Sequence, residues 1–113
     1  MDLLTVSTSE RDGWTVLTLT GQLDVATAPD LRLTLQQVQY AGDGRVVVDL
    51  AGVEFLDSFG LGVLIGGVKR ARSHGGRLVL AAASRRVMQI FELAGLEAAL
   101  PLAPDVEAAI GTP

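Results

Sequence analysis

Ser58 is the residue of this chain best placed for chemistry. It stands in Glu54-Phe55-Leu56-Asp57-Ser58-Phe59-Gly60-Leu61-Gly62, where an apolar extended run gives way to a segment of helical periodicity. A serine at such a junction can cap the helix through its hydroxyl oxygen, because the first backbone N–H groups of a helix have no partner within it. The same junction suits a phosphoryl group, since free N–H donors and a partial positive charge meet there. The residues by themselves leave two readings, a cap and a cap that is also modified.

Other reactive groups are sparse. His74 is the sole histidine. Just before Gly75-Gly76 it reads as a C-terminal capping residue rather than a base or ligand. A Ser-His-Asp constellation has no other histidine to use, and no Gly-x-Ser-x-Gly elbow occurs. Asp57 is too weak a base to activate its neighbour alone. Gly60-x-Gly62-x-x-x-Gly66 mimics a dinucleotide fingerprint, but Ile65 stands where the third glycine belongs. Gly66-Gly67-Val68-Lys69 likewise lacks the Gly-Lys-Ser/Thr ending of a phosphate loop. The absence of cysteine excludes disulfides, thiolate metal sites and a cysteine nucleophile. No catalysis, cofactor or metal is expected. Asp24, after Gly21-Gln22-Leu23, reads as a turn or cap residue. Arg85-Arg86 opens a helix against its dipole and is either a solvated pair or a partner contact.

The elements around these residues follow from pattern. Leu4–Ser9 and Trp14–Thr20 read as strands joined by Asp12-Gly13, a strong hairpin signal. Pro29 opens a helix in which Leu31, Leu35 and Val38 recur until Gly42 and Gly44 end it. Arg45–Leu50 holds Val46-Val47-Val48, the run of a strand buried on both faces. The helix beginning at Ser58 places Leu61, Leu64, Ile65, Val68 and Ala71 on one face. Arg77–Ala82 is a further strand. Ser84 caps a third helix with a stripe of Val87, Ile90, Phe91 and Ala94 and a stop at Gly95. A short strand over Ala99–Leu102 and a final turn or two over Asp105–Ile110 complete the order. A hairpin followed by alternating helices and strands predicts an α/β fold, a mixed sheet of four to five strands with helices packed on it.

The helix after Ser58 is unusual. Gly60, Gly62, Gly66 and Gly67 fall in its first three turns, and each costs about 0.5–1 kcal/mol relative to alanine. Close approach to a neighbouring surface is the usual compensation. No residue from Ser58 to Val68 is ionisable. With one stripe committed to the core, Phe59, Gly62, Val63 and Gly66 form a small, apolar, outward side that suits docking. The alternative is that both sides are covered within the domain.

The chain has 113 residues, 49% apolar and 19% charged, which suffices for one domain with a single core. A net charge of −4 argues against direct nucleic-acid binding. Met1-Asp2-Leu3-Leu4-Thr5 lacks the features of a signal peptide, and Glu54 and Asp57 interrupt the most apolar window, so no membrane segment is expected. Gly111-Thr112-Pro113 is expected to fray.

Asp49-Leu50-Ala51-Gly52-Val53-Glu54-Phe55-Leu56-Asp57-Ser58-Phe59-Gly60-Leu61-Gly62-Val63-Leu64 resembles the signature of anti-sigma factor antagonists, the bacterial STAS-domain family. Gly21-Gln22-Leu23-Asp24 and Phe91-Glu92-Leu93-Ala94-Gly95-Leu96 extend the resemblance over nearly the whole chain. It implies a STAS-like single domain over residues 1–113, a cytoplasmic location and no catalytic activity. It further implies that an anti-sigma factor, itself a serine kinase, phosphorylates Ser58. The unmodified antagonist binds that kinase and frees its sigma factor, and a phosphatase restores the active form. By the same matching, Asp24 and the helix start from Asp57 through Gly60 face the kinase, beside Phe59, Gly62, Val63 and Gly66. Many members carry a second serine or a threonine where this chain has Phe59, which leaves Ser58 as the acceptor in the motif. A nucleotide-binding or transporter-accessory module of the same fold, with Ser58 as a cap alone, is the alternative.

Overall fold

The computed structural model describes residues 3–111. Met1, Asp2, Thr112 and Pro113 lie outside them, and with them most of the tail expected to fray. Gly111 closes the last helix, its N–H donating to the Glu107 carbonyl at 3.0 Å.

The elements run β1 (Thr5–Arg11), β2 (Trp14–Leu23), α1 (Ala28–Tyr40), β3 (Arg45–Leu56), α2 (Ser58–Ser73), β4 (Arg77–Ala81), α3 (Arg85–Leu93), β5 (Leu102–Ala103) and α4 (Val106–Ile110). The five strands form one mixed sheet in the order β1-β2-β3-β4-β5, antiparallel between β1 and β2 and parallel thereafter. Asp12 and Gly13 both take positive φ, +52° and +84°, as a two-residue hairpin matching the strand twist requires.

Alternation along the strands sorts the core. Leu17, Leu19, Val46, Val48, Leu50, Leu78 and Leu80 point to the face covered by α1, α2 and α3. Trp14, Val16, Val47, Val79 and Ala81 point to the other, against Ala109 of α4. Val46, Val47 and Val48 are completely buried, which is why their run shows no alternation.

β2 and β3 extend beyond their expected ends, to Leu23 and Leu56. Register shifts between Thr18 and Thr20 and between Gly21 and Gln22 set extra β3 residues against β2. Each bulge resets the alternation, so Ala51, Gly52 and Glu54 look unlike a strand although they belong to one. The consequence is functional. Leu23 and Leu56 are register partners, so β2 and β3 end side by side and deliver Asp24 and Asp57 to one place. That place, the carboxyl end of adjacent parallel strands, is where open α/β sheets expose their loops.

Candidate functional site

Asp57, not Ser58, is the N-cap of α2. Its backbone is extended, its Oδ1 accepts from the N–H groups of Phe59 at 2.9 Å and Gly60 at 3.0 Å, and its Oδ2 accepts from Val25 N–H at 3.0 Å. The expectation that Ser58 caps the helix is therefore corrected. A carboxylate offers two acceptor oxygens and a full charge to the helix dipole, where a hydroxyl offers neither. Ser58 becomes the first helical residue, exposed, and among the described residues its hydroxyl makes no hydrogen bond.

Asp24 does the equivalent work next door. Its Oδ1 accepts from Ala26 and Thr27 N–H groups at 3.0 and 3.2 Å, and its carbonyl accepts from Ala28 N–H at 2.8 Å. Thr27 Oγ1 accepts from Asp24 N–H and donates to the Gln22 carbonyl. Asp24 is the turn residue the sequence suggested. Together the two aspartates knit the β2–α1 turn to the start of α2, with the Asp57–Val25 bond as the direct tie. Both side chains are half-buried and committed to backbone donors.

The four glycines of α2 divide into two pairs. Gly60 is buried, and a Cβ there would lie 2.5 Å from the Leu23 carbonyl oxygen. It therefore lies under the contact surface to which the sequence assigned it, because the first turn of α2 packs directly on the end of β2. Gly67 meets Leu35 of α1, where a Cβ would come within 2.6 Å of Cδ2, and its carbonyl accepts from Gln39 Nε2 at 2.7 Å. Gly62 has open space beyond its Cα, and a Cβ on Gly66 would meet only Arg70 Nη1, at 3.6 Å. Nothing in the packing of the fold requires these last two.

Phe59, Gly62, Val63 and Gly66 do come together, along one wall of a furrow. The furrow's other wall is α1, which the sequence did not place there. One depression of about 350 Å³ is lined by Ser58, Phe59, Gly62, Val63, Gly66, Arg32 and Arg70. An adjoining one, about 650 Å³, is lined by Val25, Pro29, Arg32, Leu33, Phe59 and Val63 among others. The surface beside Ser58 is thus apolar but not free of charge, contrary to the expectation from α2 alone. Arg70 folds back over Gly66, as helical side chains lean toward the N-terminus. Its Nε donates to Gln39 Oε1 at 2.9 Å. The missed residue with a legible signal was Leu33, an apolar side chain off the Leu31–Leu35 stripe and 59% exposed.

His74 sits at the opposite end of α2, about 24 Å away by helix rise. It caps there, its N–H donating to the Arg70 carbonyl, with Tyr40 Oη 3.1 Å from its Nε2. Ser58 thus has no histidine within reach. Among the described residues no group of three or more metal-ligand side chains occurs, and no helix is long and apolar enough to cross a membrane.

Residues 5–109 match the family described as STAS domain. An anti-sigma-B factor antagonist of Staphylococcus epidermidis is 32% identical over 94 residues, spanning 83% of this chain and 87% of that protein. One from Staphylococcus aureus (strain NCTC 8325 / PS 47) is 31% identical over the same extent. The crystal structure of an anti-sigma factor antagonist from Mycobacterium paratuberculosis superposes with a TM-score of 0.83 at 29% identity, covering 95% of this chain and 91% of that one. By the family match over residues 5–109 and the antagonists it is similar to along most of its length, the chain belongs to the STAS-domain family, among the anti-sigma factor antagonists.

Proposed function

We propose that this chain antagonises an anti-sigma factor and that Ser58 is its switch. Unmodified, it binds an anti-sigma factor that is also a serine kinase and releases the sigma factor. Phosphorylation at Ser58 ends binding, and a phosphatase restores it. The chain acts in the cytoplasm, as a substrate of both enzymes rather than as a catalyst, without a cofactor and without touching nucleic acid or membrane.

The observation that carries this reading is the Ser58 hydroxyl itself. It is exposed and free of internal hydrogen bonds among the described residues, and the capping expected of it is done by Asp57. A hydroxyl with no structural task, on the edge of a furrow one wall of which carries two glycines the fold does not need, is available as an acceptor. In this reading the partner contacts Phe59, Gly62, Val63 and Gly66, which line the depression that Ser58 shares, and Asp24 and Asp57 at the neighbouring turn, while Gly60 seats the first turn of α2 on β2.

The switch needs no refolding. A phosphoryl group adds about −1.5 to −2 charges beside Asp57, whose Oδ1 already occupies the Phe59 and Gly60 N–H groups. The phosphate therefore finds those two donors taken and stands on the exposed side of the helix start. Bringing that charge into an interface formed around a neutral hydroxyl costs desolvation, and a loss of about 3 kcal/mol weakens binding more than a hundredfold. Incubation with the kinase and ATP tests the reading, with Ser58→Ala as control. Phosphate is expected in the parent protein alone. Equal incorporation in both would mean that the acceptor lies elsewhere.

A further inference from the structure

We propose that the furrow between α1 and α2 receives a segment of the partner carrying a large apolar side chain beside a carboxylate, and that Arg32 anchors the carboxylate. This rests on the reading that the partner docks at the Ser58 face and states what chemistry it brings there.

The apolar half is set by three side chains from three places. Val25 of the β2–α1 turn, Leu33 of α1 and Phe59 of α2 are 57%, 59% and 60% exposed and converge on the depression of about 650 Å³. Large apolar side chains from separate elements sharing one opening mark a contact surface. The charged half is Arg32, which lines both this depression and the one holding Ser58. Among the described residues Arg32 has no ion pair, and no carboxylate lines either depression. Arg70 follows farther along, and its Nη2 is buried without a hydrogen-bond partner among the described residues.

A chain of net charge −4 thus keeps two guanidinium groups and no acid along one apolar furrow. That is complementary to an acidic, amphipathic segment, and a guanidinium holds a carboxylate through two parallel hydrogen bonds. A phosphoryl group on Ser58 enters the same depression as Arg32 and competes with the partner's carboxylate for it. The anchor of binding is then also the point at which the switch acts.

Titration calorimetry with the anti-sigma factor kinase tests this, using Arg32→Gln, Arg32→Glu and Leu33→Asp beside Ser58→Asp. Arg11→Glu on β1, at the hairpin end of the sheet and away from Asp24 and Asp57, serves as a surface control. The first is expected to bind about tenfold more weakly than the parent, the second and third about a hundredfold, and the control within about twofold. Changing one Asp or Glu of the kinase to Lys is expected to restore binding to Arg32→Glu. If Arg32→Glu binds like the parent while Ser58→Asp does not, the furrow is not the seat and the Ser58 reading stands. If Ser58→Asp also binds like the parent, that reading falls and this inference with it. A self-association that Leu33→Asp abolishes, with kinase affinity unchanged, would assign the furrow to a second copy instead.

Discussion

Removing the Asp57 carboxylate separates the structural from the regulatory role at the head of α2. Asp57→Ala deletes the acceptor of the Phe59 and Gly60 N–H groups and of the Val25 N–H. Loss of an N-cap costs about 1 kcal/mol, and loss of a charge at a helix N-terminus about 0.3–1 kcal/mol more. The long-range bond to Val25, with a charged acceptor, adds about 1 kcal/mol. The total is about 2–3 kcal/mol. With about 2.1 cal/mol/K of unfolding entropy per residue over 113 residues, 1 kcal/mol moves Tm by about 4 °C. A fall of roughly 8–12 °C is expected in scanning calorimetry. Asp57→Asn keeps an oxygen for the helix but turns an NH₂ toward Val25 N–H, so it should fall between Asp57→Ala and the parent. Ser58→Ala, which removes no hydrogen bond among the described residues, should cost less than about 0.5 kcal/mol. Amide exchange at Val25 gives a local readout, faster in both Asp57 variants and unchanged in Ser58→Ala. If Ser58→Ala destabilises as much as Asp57→Ala, the hydroxyl is a cap after all and its freedom to be modified is lost.

Three further outcomes follow from the same geometry. Gly60→Ala, whose Cβ would press on the Leu23 carbonyl, should lose about 1–3 kcal/mol in urea unfolding, whereas Gly62→Ala, facing open space, should gain about 0.5–1 kcal/mol. Phe59→Ala should leave urea stability within about 0.5 kcal/mol, because the ring is 60% exposed, yet weaken kinase binding about tenfold in calorimetry. Phe91→Ala, at 0% exposure in the main core, should cost about 3–5 kcal/mol by urea unfolding without selective loss of the furrow's contacts.

Much of this protein is legible in one dimension because local physics dominates there. Asp12-Gly13 favours its hairpin through positive φ, the β-branched run Val46-Val47-Val48 reads as a buried strand and is one, and Ser84 caps α3 by accepting from Val87 N–H at 3.2 Å. The serine motif and its family could be recognised from residues alone for the same reason: they are contiguous. Less legible was anything that depends on what lies across from a residue. The second half of β3 was hidden because bulges break its alternation, and a bulge is a relation between two strands. Asp57 and Ser58 are adjacent and both are capable acceptors, and pattern pointed to Ser58 where the structure uses Asp57. The Val25 N–H, brought there because β2 and β3 end in register, gives Asp57 Oδ2 a donor as well.

The same division holds for the candidate site. Sequence determined that α2 begins at a serine, carries four glycines and lacks charge over its first turns. Tertiary structure decided that two of those glycines serve packing and two do not, and that α1 supplies Arg32 and Leu33 to the wall opposite Phe59. Periodicity along one helix fixes which of its own residues share a face. Which helix lies against that face, and with what charge, is settled only when the sheet sets α1 and α2 side by side.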